Sequence, residues 1–234
     1  MSIYLAEFLG TMVLILLGDG VVAGVSLNKS KAQNGGWIVV TTAWACAVAI
    51  PAFIFGGVSG AHFNPALTIA LAVIGKFAWN LVPGYIGAQL LGGIAGATLV
   101  WLAYLPHWKE TEEQDVKLGV FCTAPAIRNT PTNLITEIIG TFMLVFGILG
   151  LGTVTMADGV GTLATGLLIL VIGLSLGAPT GYAINPARDL GPRIAHAILP
   201  IPGKGGNDWG YSWIPVIGPI IGGLLGAGLF QLVF

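Results

Sequence analysis

Apolar stretches dominate the chain, and they fall into two size classes. Six of them are long enough to cross a membrane as helices, because a span needs about 20 apolar residues. These six stretches cover residues 3–25, 36–56, 80–103, 132–153, 160–178 and 211–233. Two shorter stretches, 65–75 and 186–198, would extend about 18 Å as helices, a little over half of the hydrocarbon core. The pattern predicts an all-α membrane protein with six transmembrane helices and two half-helices.

Composition agrees with a protein that lies within the bilayer. The 234 residues are 55% hydrophobic and 8% charged, whereas a soluble domain is about a quarter charged. A net charge of -1 gives no reason to expect nucleic acid as a partner. The first apolar stretch lacks a preceding basic segment and contains Glu7. We therefore interpret it as a spanning helix and not as a cleavable signal.

The same tripeptide begins both short stretches. Asn64-Pro65-Ala66 and Asn185-Pro186-Ala187 each follow a glycine-containing segment. Asparagine is a preferred helix N-cap, and proline is tolerated at the first helical position. Each half-helix is therefore predicted to start inside the membrane from a re-entrant loop. Irregular backbone is tolerated at that depth where it is buried in protein or lines a wet cavity.

The chain also repeats itself. Residues 7–11 resemble residues 137–141, and residues 59–66 resemble residues 180–187. Each copy holds three spans, an odd number, so the second copy is predicted to lie inverted in the membrane with the half-helix N-termini facing each other. The predicted units are a first repeat, 1–105, and a second repeat, 131–234. The polar segment between them, 106–130, is expected to be a connecting, solvated loop.

Charged residues within the apolar stretches are costly and indicate function or a specific structural bond. Glu7 and Glu137 hold matching positions, which favours a structural role in which each carboxylate accepts N–H groups of a re-entrant loop. The alternative is a proton relay. Arg188 lies one turn after Asn185, so both are expected to face a water-filled path.

Three further residues are less clearly assigned. Asp189 is expected to hold the loop around the constriction, whereas Asp19 has no counterpart in the second repeat and no assigned role. His62 is expected to form a hydrogen bond within its loop, because no second histidine or cysteine stands at a metal-ligand spacing.

Of the two cysteines, Cys46 is expected to be a buried small residue and Cys122 a loop thiol.

At these motifs the chain resembles the aquaporin family, and more closely its glycerol-conducting branch, the aquaglyceroporins. The resemblance rests on residues 60–67, on residues 181–189 and on the repeated Glu-x-x-Gly-Thr. It implies a passive channel for glycerol and other small neutral solutes, with water, that excludes protons and ions. It also implies a homotetramer with one pore per protomer. No nucleophile–base pair, phosphate-binding loop or cofactor motif is visible in the sequence, so we predict neither an enzyme nor a cofactor.

The resemblance further implies a constriction formed by Trp44, Gly173, Tyr182 and Arg188. Gly173 would leave room for a carbon backbone. Tyr182 departs from the phenylalanine common in glycerol facilitators, which leaves the preferred solute open among glycerol, urea, dihydroxyacetone, hydrogen peroxide and undissociated lactic acid.

The predicted mechanism depends on pore diameter, hydrogen-bonding groups and electrostatic barriers. Asn64 and Asn185 would aim amide N–H groups into the lumen, where two half-helix N-termini place positive dipole ends. Free backbone carbonyls of the two loops would form a ladder of acceptors. The ladder comprises Gly60, Ala61, His62, Phe63, Thr180, Gly181, Tyr182 and Ala183.

Two rival functions remain, an ion-coupled secondary transporter and a non-conducting membrane scaffold. Orientation carries a conflict of its own. The positive-inside rule would place the loops with Lys29, Lys31, Lys109, Lys117 and Arg128 in the cytoplasm, whereas the resemblance places both termini there. We follow the resemblance and expect both termini in the cytoplasm. The short length and short loops favour a bacterial cytoplasmic membrane.

Overall fold

A computed structural model describes all residues, 1–234, and all of its regular structure is helical. A single 3₁₀ turn, Trp79–Leu81, precedes α4. The helices are α1 (Ile3–Ser26), α2 (Trp37–Ser59), α3 (Pro65–Val73), α4 (Val82–Ala103), α5 (His107–Glu110), α6 (Gln114–Phe121), α7 (Thr130–Leu151), α8 (Val160–Leu176), α9 (Pro186–Ile198) and α10 (Ile214–Val233).

The predicted fold class is confirmed. Five helices are long and apolar enough to cross a membrane, namely α1, α2, α4 with its preceding turn, α7 and α10. The sixth, α8, has 17 residues, which is at the short end of the range of about 17–25 for a span. The half-helices α3 and α9 begin at Pro65 and Pro186, where the sequence predicts them.

The two halves of the chain pack by one pattern. Helix α1 packs against α2 and α4, and α7 packs in the same way against α8 and α10. Each half-helix crosses to the other half, so that α3 packs on α10 and α9 packs on α4. The half-helices are therefore held between the two halves and depend on both.

Glycines allow the closest of these contacts. A Cβ on Gly92 of α4 would lie 2.3 Å from the carbonyl oxygen of Phe8 on α1. A Cβ on Gly222 of α10 would lie 2.2 Å from the carbonyl oxygen of Ile138 on α7. Small residues of this kind let membrane helices meet backbone to backbone. The frame around the half-helices is thus close-packed in both halves.

The expectation of a solvated loop at 106–130 is wrong. This segment contains α5 and α6, and the side chains of Trp108, Val120 and Phe121 are fully buried. The rings of Trp108 and Phe121 stack with their centroids 5.5 Å apart, and α6 packs on α1 and α9. The exposed acidic residues of the segment conceal an apolar face, which an overall charge count does not reveal.

The expected burial of Cys46 is wrong, because this residue is exposed on the surface of α2. Cys122 lies in the loop after α6, as expected, but its side chain is only 2% exposed. Cys122 is buried because it follows α6 directly and shares the packing of that helix.

Candidate functional site

The two Asn-Pro-Ala motifs cap the half-helices. The side-chain oxygen of Asn64 accepts a hydrogen bond from the N–H of Ala66 at 2.9 Å, and that of Asn185 accepts one from Ala187 at 3.0 Å. Both asparagines have extended backbone, and a proline follows each at the first helical position. These are the requirements of an N-cap, so the local sequence alone determines where each half-helix begins.

The same asparagines join the two half-helices across the middle of the protein. The amide nitrogen of Asn64 donates to the carbonyl of Ile184, and that of Asn185 donates to the carbonyl of Phe63, both at 2.8 Å. One hydrogen of each amide is therefore already used, and only the second remains for a solute. The sequence predicted that both amide hydrogens of each asparagine would be free to donate into the cavity, and this is wrong for one of the two. Phe63, expected as a free member of the carbonyl ladder, is likewise already bonded.

The loops before the motifs have an uncommon backbone. Ala61 and Phe63 have φ values of 53° and 49°, and the matching Tyr182 and Ile184 have 38° and 43°. Non-glycine residues in this region carry strain of about 1–3 kcal/mol each and persist only where the surroundings hold them. The remaining ladder carbonyls, 60–62 and 180–183, accept no hydrogen bond from the chain. They are free acceptors.

Glu7 supplies part of what holds the first loop. Its carboxylate accepts the N–H groups of His62 at 3.0 Å and Phe63 at 2.7 Å. It also accepts from the hydroxyl of Ser59 at 2.7 Å and the amide of Gln89 at 2.8 Å. Its side chain is fully buried.

Glu137 does the same for the second loop. It accepts the N–H groups of Ala183 at 3.1 Å and Ile184 at 2.9 Å, and the hydroxyl of Thr180 at 2.7 Å. Buried N–H groups need such partners. Because both carboxylates are occupied in fixing the loops, the contacts favour the structural interpretation over a proton relay.

His62 lies against its own half-helix. Its Nδ1 is 3.1 Å from the hydroxyl of Thr68 on α3. Its ring packs against Phe77 and Tyr85, at centroid distances of 4.8 and 5.1 Å. The histidine thus ties the re-entrant loop to the helix that follows it.

A cavity runs past both motifs, and its lining has two unlike parts. One part is formed by residues 61–63 and 181–184 of the two loops with Asn64 and Asn185, and the carbonyls of 61, 62 and 181–183 in this part are free. The other part is almost entirely apolar. Its side chains are Leu14, Val48, Ala52, Leu67, Leu144, Ile148, Thr165 and Ile169.

Arg188 lies at one end of this cavity in a fixed position. Its Nη1 donates to Asp19 at 3.0 Å and to the carbonyl of Phe121 at 3.2 Å. The guanidinium carbon lies 4.1 Å from the ring centroid of Trp44, which is cation–π geometry. The Nε and Nη2 groups donate to no atom of the chain and remain available to the cavity.

Tyr182 and Gly173 form one unit at the same end. A Cβ on Gly173 would lie 2.9 Å from Cζ of Tyr182 and 2.9 Å from the methyl of Thr41. Gly173 therefore does not open the cavity directly, although the sequence predicted that it would. Instead, the absence of a side chain at Gly173 leaves room for the Tyr182 ring beside it. The Trp37 indole N–H donates to the Gly173 carbonyl at 3.0 Å. The hydroxyl of Tyr182 is buried and has no partner in the chain.

Asp189 fastens the connecting segment to α9. It accepts the N–H and hydroxyl of Thr123 at 2.8 and 2.7 Å, and Nε of Arg193 at 2.9 Å. Nη2 of Arg193 donates back to the carbonyl of Thr123 at 3.1 Å. Sequence reasoning anticipated a loop-holding role for Asp189 but missed Arg193 and Thr123. The only available signal was the i, i+4 spacing of Asp189 and Arg193.

A second hollow opens beyond Arg188 toward the surface. Its walls include Tyr182, Cys122 and Thr123, together with residues of the loop between α1 and α2. Arg188 and Trp44 border both the hollow and the cavity. The connecting segment therefore forms part of the approach to the end of the cavity at Arg188, where the sequence predicts the constriction and which we call the narrow end.

The family model described as Major intrinsic protein matches residues 1–230. The chain is 64% identical over 234 residues to the probable glycerol uptake facilitator protein of Thermotoga maritima, with all of both chains covered. It is 55% identical to the glycerol uptake facilitator protein of Bacillus subtilis, covering 100% of this chain and 85% of that one. The X-ray structure of the aquaglyceroporin from Plasmodium falciparum matches with a TM-score of 0.85 and 29% identity, covering 98% of this chain and 95% of that one.

Proposed function

We propose that the chain, which belongs to the major intrinsic protein family, forms a passive channel for glycerol and other small neutral solutes, with water. The observation that carries this proposal is the two-sided cavity. A polyol has hydroxyl groups along one edge and carbon along the other. The loop wall offers acceptors and donors to the hydroxyls, and the apolar wall contacts the carbons. The names of the two glycerol facilitator relatives support glycerol as a solute.

Arg188, Trp44 and Tyr182, with Gly173 behind the tyrosine, act as the selectivity filter in this proposal. The free Nε and Nη2 of Arg188 donate to solute oxygens. Trp44 and Tyr182 contact the carbon edge. Binding of this kind stays weak enough for a solute to leave, as conduction requires.

Protons and cations are excluded at the middle of the cavity. The N-termini of α3 and α9 meet there, and helix N-termini carry partial positive charge. A water or hydroxyl oxygen at this place accepts from the remaining amide hydrogens of Asn64 and Asn185. A cation meets a repulsive field and gains no compensating ligand.

The same geometry weighs against an ion-coupled transporter, which needs a coupling-ion site and a moving repeat. The half-helices are bonded to each other and clamped between both halves of the chain. Glu7 and Glu137, the matching buried carboxylates, are fully engaged by their loops. A non-conducting scaffold would give no solute flux in proteoliposomes.

We further propose a homotetramer in a bacterial cytoplasmic membrane, with one pore per protomer and both termini in the cytoplasm. The assembly and orientation follow the family. Protease or label accessibility of an N-terminal tag in intact cells tests the orientation. A tag accessible from outside would reverse it.

Stopped-flow light scattering on proteoliposomes tests the channel itself. We expect fast, non-saturating glycerol flux without proton current, relative to empty vesicles. Lactic acid gradients at acidic pH then measure how far the solute range extends. Flux of water alone would mean that the narrow end rejects polyols, and absence of any flux would support the scaffold.

A matched pair of variants connects flux to this cavity. Ala52 lies in the apolar wall of the cavity, whereas Ile54, two residues later on α2, is 58% exposed on the outer surface. Ala52→Trp should block glycerol and water together. Ile54→Trp adds a similar bulk outside the cavity and should leave both fluxes unchanged.

A further inference from the structure

The two half-helices differ at one matching position. In α3 this position lies near α7, and in α9 it lies against α1. Three residues after the capping asparagines stand Leu67 on α3 and Arg188 on α9. Leu67 belongs to an apolar cluster that includes Leu149 of α7. Arg188 instead forms an ion pair with Asp19 of α1 at 3.0 Å.

Asp19 and Leu149 are themselves matching positions. Each lies twelve residues after the repeated glutamate, Glu7 in α1 and Glu137 in α7. At this position α3 and α7 therefore contribute leucines to one apolar cluster, whereas α9 and α1 contribute an arginine and an aspartate that form an ion pair. The second half-helix thus has a charged residue where the first has a leucine, and its neighbouring helix has the opposite charge where the matching helix has a leucine.

We propose that Asp19 is a specificity-determining residue that acts through Arg188, an inference that rests on the proposed channel function. As the counter-ion of Arg188 it removes the net charge from the narrow end of the cavity. Neutral hydroxylated solutes are then recognised by hydrogen bonds, and small anions are not retained there.

The geometry makes Asp19 a positioning residue. Its side chain is fully buried and does not border the cavity, so a solute does not touch it. Asp19 and the Phe121 carbonyl both accept hydrogen bonds from Nη1 of Arg188, and Trp44 covers one face of the guanidinium. Nε and Nη2 are left as the groups available to a solute.

The surrounding charges explain why a counter-ion is needed. The N-terminus of α9 and the amide of Asn185 lie nearby, and both favour negative charge. Asp189 and Arg193 form their own buried pair and cancel each other. Asp19 is therefore the charge that offsets Arg188. Without it, the narrow end would carry one net positive charge and become an anion site that obstructs glycerol.

The test compares wild type with Asp19→Asn in proteoliposomes at constant ionic strength. Glycerol flux is measured in nitrate, a small and fully ionised anion, and in a bulky sulfonate that cannot enter. Wild type should give equal flux in both salts. Asp19→Asn keeps the size of the side chain and an oxygen acceptor, so its flux should fall severalfold in nitrate only. Nitrate should bind the variant roughly tenfold or more tightly, as expected for loss of one charge a few ångströms away.

Asp115→Asn is the matched control. Asp115 is exposed on α6, in the segment that forms part of the approach to Arg188, and the substitution changes the net charge equally. Its flux should remain insensitive to nitrate. Equal flux of Asp19→Asn in both salts, or equal nitrate inhibition in the control, would overturn the proposal, because a purely structural role predicts the same loss in either salt.

A binding measurement separates this proposal from the channel function. Nitrate should raise the unfolding temperature of purified Asp19→Asn in detergent and leave wild type and Asp115→Asn unchanged, because a ligand stabilises the state that binds it. This result does not require transport. Asp19→Ser carries the same expectation if the asparagine variant does not fold, since the smaller side chain leaves room for water at Nη1. A nitrate shift as large in wild type would contradict the inference, whereas absent glycerol flux in wild type would contradict only the proposed function.

Discussion

The two half-helices begin alike and have different surroundings. At both beginnings an asparagine caps the helix, a buried glutamate holds the loop, and left-handed residues occur at matching places. One turn further, α3 presents Leu67 to an apolar cluster, and α9 presents Arg188 to a carboxylate and an aromatic ring.

This difference separates shape from selectivity. The features that both halves share hold the strained loops and determine where the carbonyls lie. The features found in one half alone surround Arg188, which in the proposed channel donates to solute oxygens. We therefore expect variants of shared features to lose the most stability, and variants of unshared features to lose less, or little where both members of a pair are replaced, and to change the solute.

The largest effect is expected at the shared glutamates. Glu137→Gln places an amide N–H₂ against buried N–H and hydroxyl donors, and each unsatisfied group costs about 1–3 kcal/mol. The unfolding temperature should drop steeply and glycerol flux should be lost. Glu7→Gln should behave in the same way, because its contacts match. Both are measured by thermal unfolding in detergent and by flux.

Glu112→Gln serves as the control, since Glu112 is exposed on the connecting segment. It should change neither stability nor flux. If Glu137→Gln stayed folded, conducted glycerol and altered only proton movement, the relay interpretation would return.

The second effect concerns the unshared ion pair. Arg188→Leu alone leaves Asp19 buried without its partner, and breaking a buried pair costs about 3–5 kcal/mol. The double variant Asp19→Leu with Arg188→Leu copies the leucine pair of the other half and should recover most of that loss. Its flux should persist while the preference for glycerol over water falls.

A double-mutant cycle on the free energy of unfolding measures this coupling. We expect a coupling of about 3 kcal/mol or more, at or above the upper end for residues in contact, because each single variant leaves a buried charge without its partner and the double variant removes both charges. Additive losses in the two single variants would show that the residues do not act as a pair. A collapse of the double variant would mean that the ion pair belongs to the shape-determining group.

The shared features were largely predictable from sequence because each depends on local chemistry. An asparagine followed by proline determines the start of a half-helix, and apolar length determines the spans. The repeated glutamate also predicted a carboxylate for each loop. The positions of Ala61 and Tyr182 in the left-handed region were not predictable, since neither residue favours it and only the surrounding contacts impose it.

The unshared features were mostly missed because they depend on contacts between distant parts of the chain. Asp19 meets Arg188 across 169 positions of sequence, and Phe121 meets it across 67. The polar composition of 106–130 concealed the face that packs on α1 and α9. Arg188 after the second motif, and Asp19 without a counterpart in the second repeat, were the visible signals of asymmetry, but the sequence did not show that the two residues pair.

A smaller effect is expected at Tyr182. Its hydroxyl is fully buried without a partner in the chain, beside the place that a Cβ on Gly173 would take. Tyr182→Phe removes this unpaired hydroxyl, so stability should not fall, and the ring can settle closer to Gly173 and change the shape of this end of the cavity. The ratio of glycerol to water permeability should then shift by about two- to tenfold, because pore shape determines which solutes pass. Stopped-flow flux of both solutes gives this ratio.

Tyr211→Phe is the matched control for that variant. The hydroxyl of Tyr211 is also buried without a partner, but the residue does not border the cavity. Its permeability ratio should equal that of wild type. The same ratio in both variants would show that the Tyr182 side chain does not shape the solute path.

The smallest effect concerns the approach to the narrow end. Cys122 borders the hollow beyond Arg188, and burial, with the nearby Asp189 carboxylate, raises the pKa of its thiol well above the ordinary value. The thiolate is the reactive form, so a small thiol reagent should block glycerol flux slowly at pH 7. At pH values below the raised pKa, the rate of block should increase about tenfold per pH unit, because the thiolate fraction does so.

Two serine variants test which cysteine is responsible. Cys122→Ser should abolish the block. Cys46→Ser, at an exposed position on α2, should retain it, and block through Cys46 would show that the connecting segment does not line the solute path.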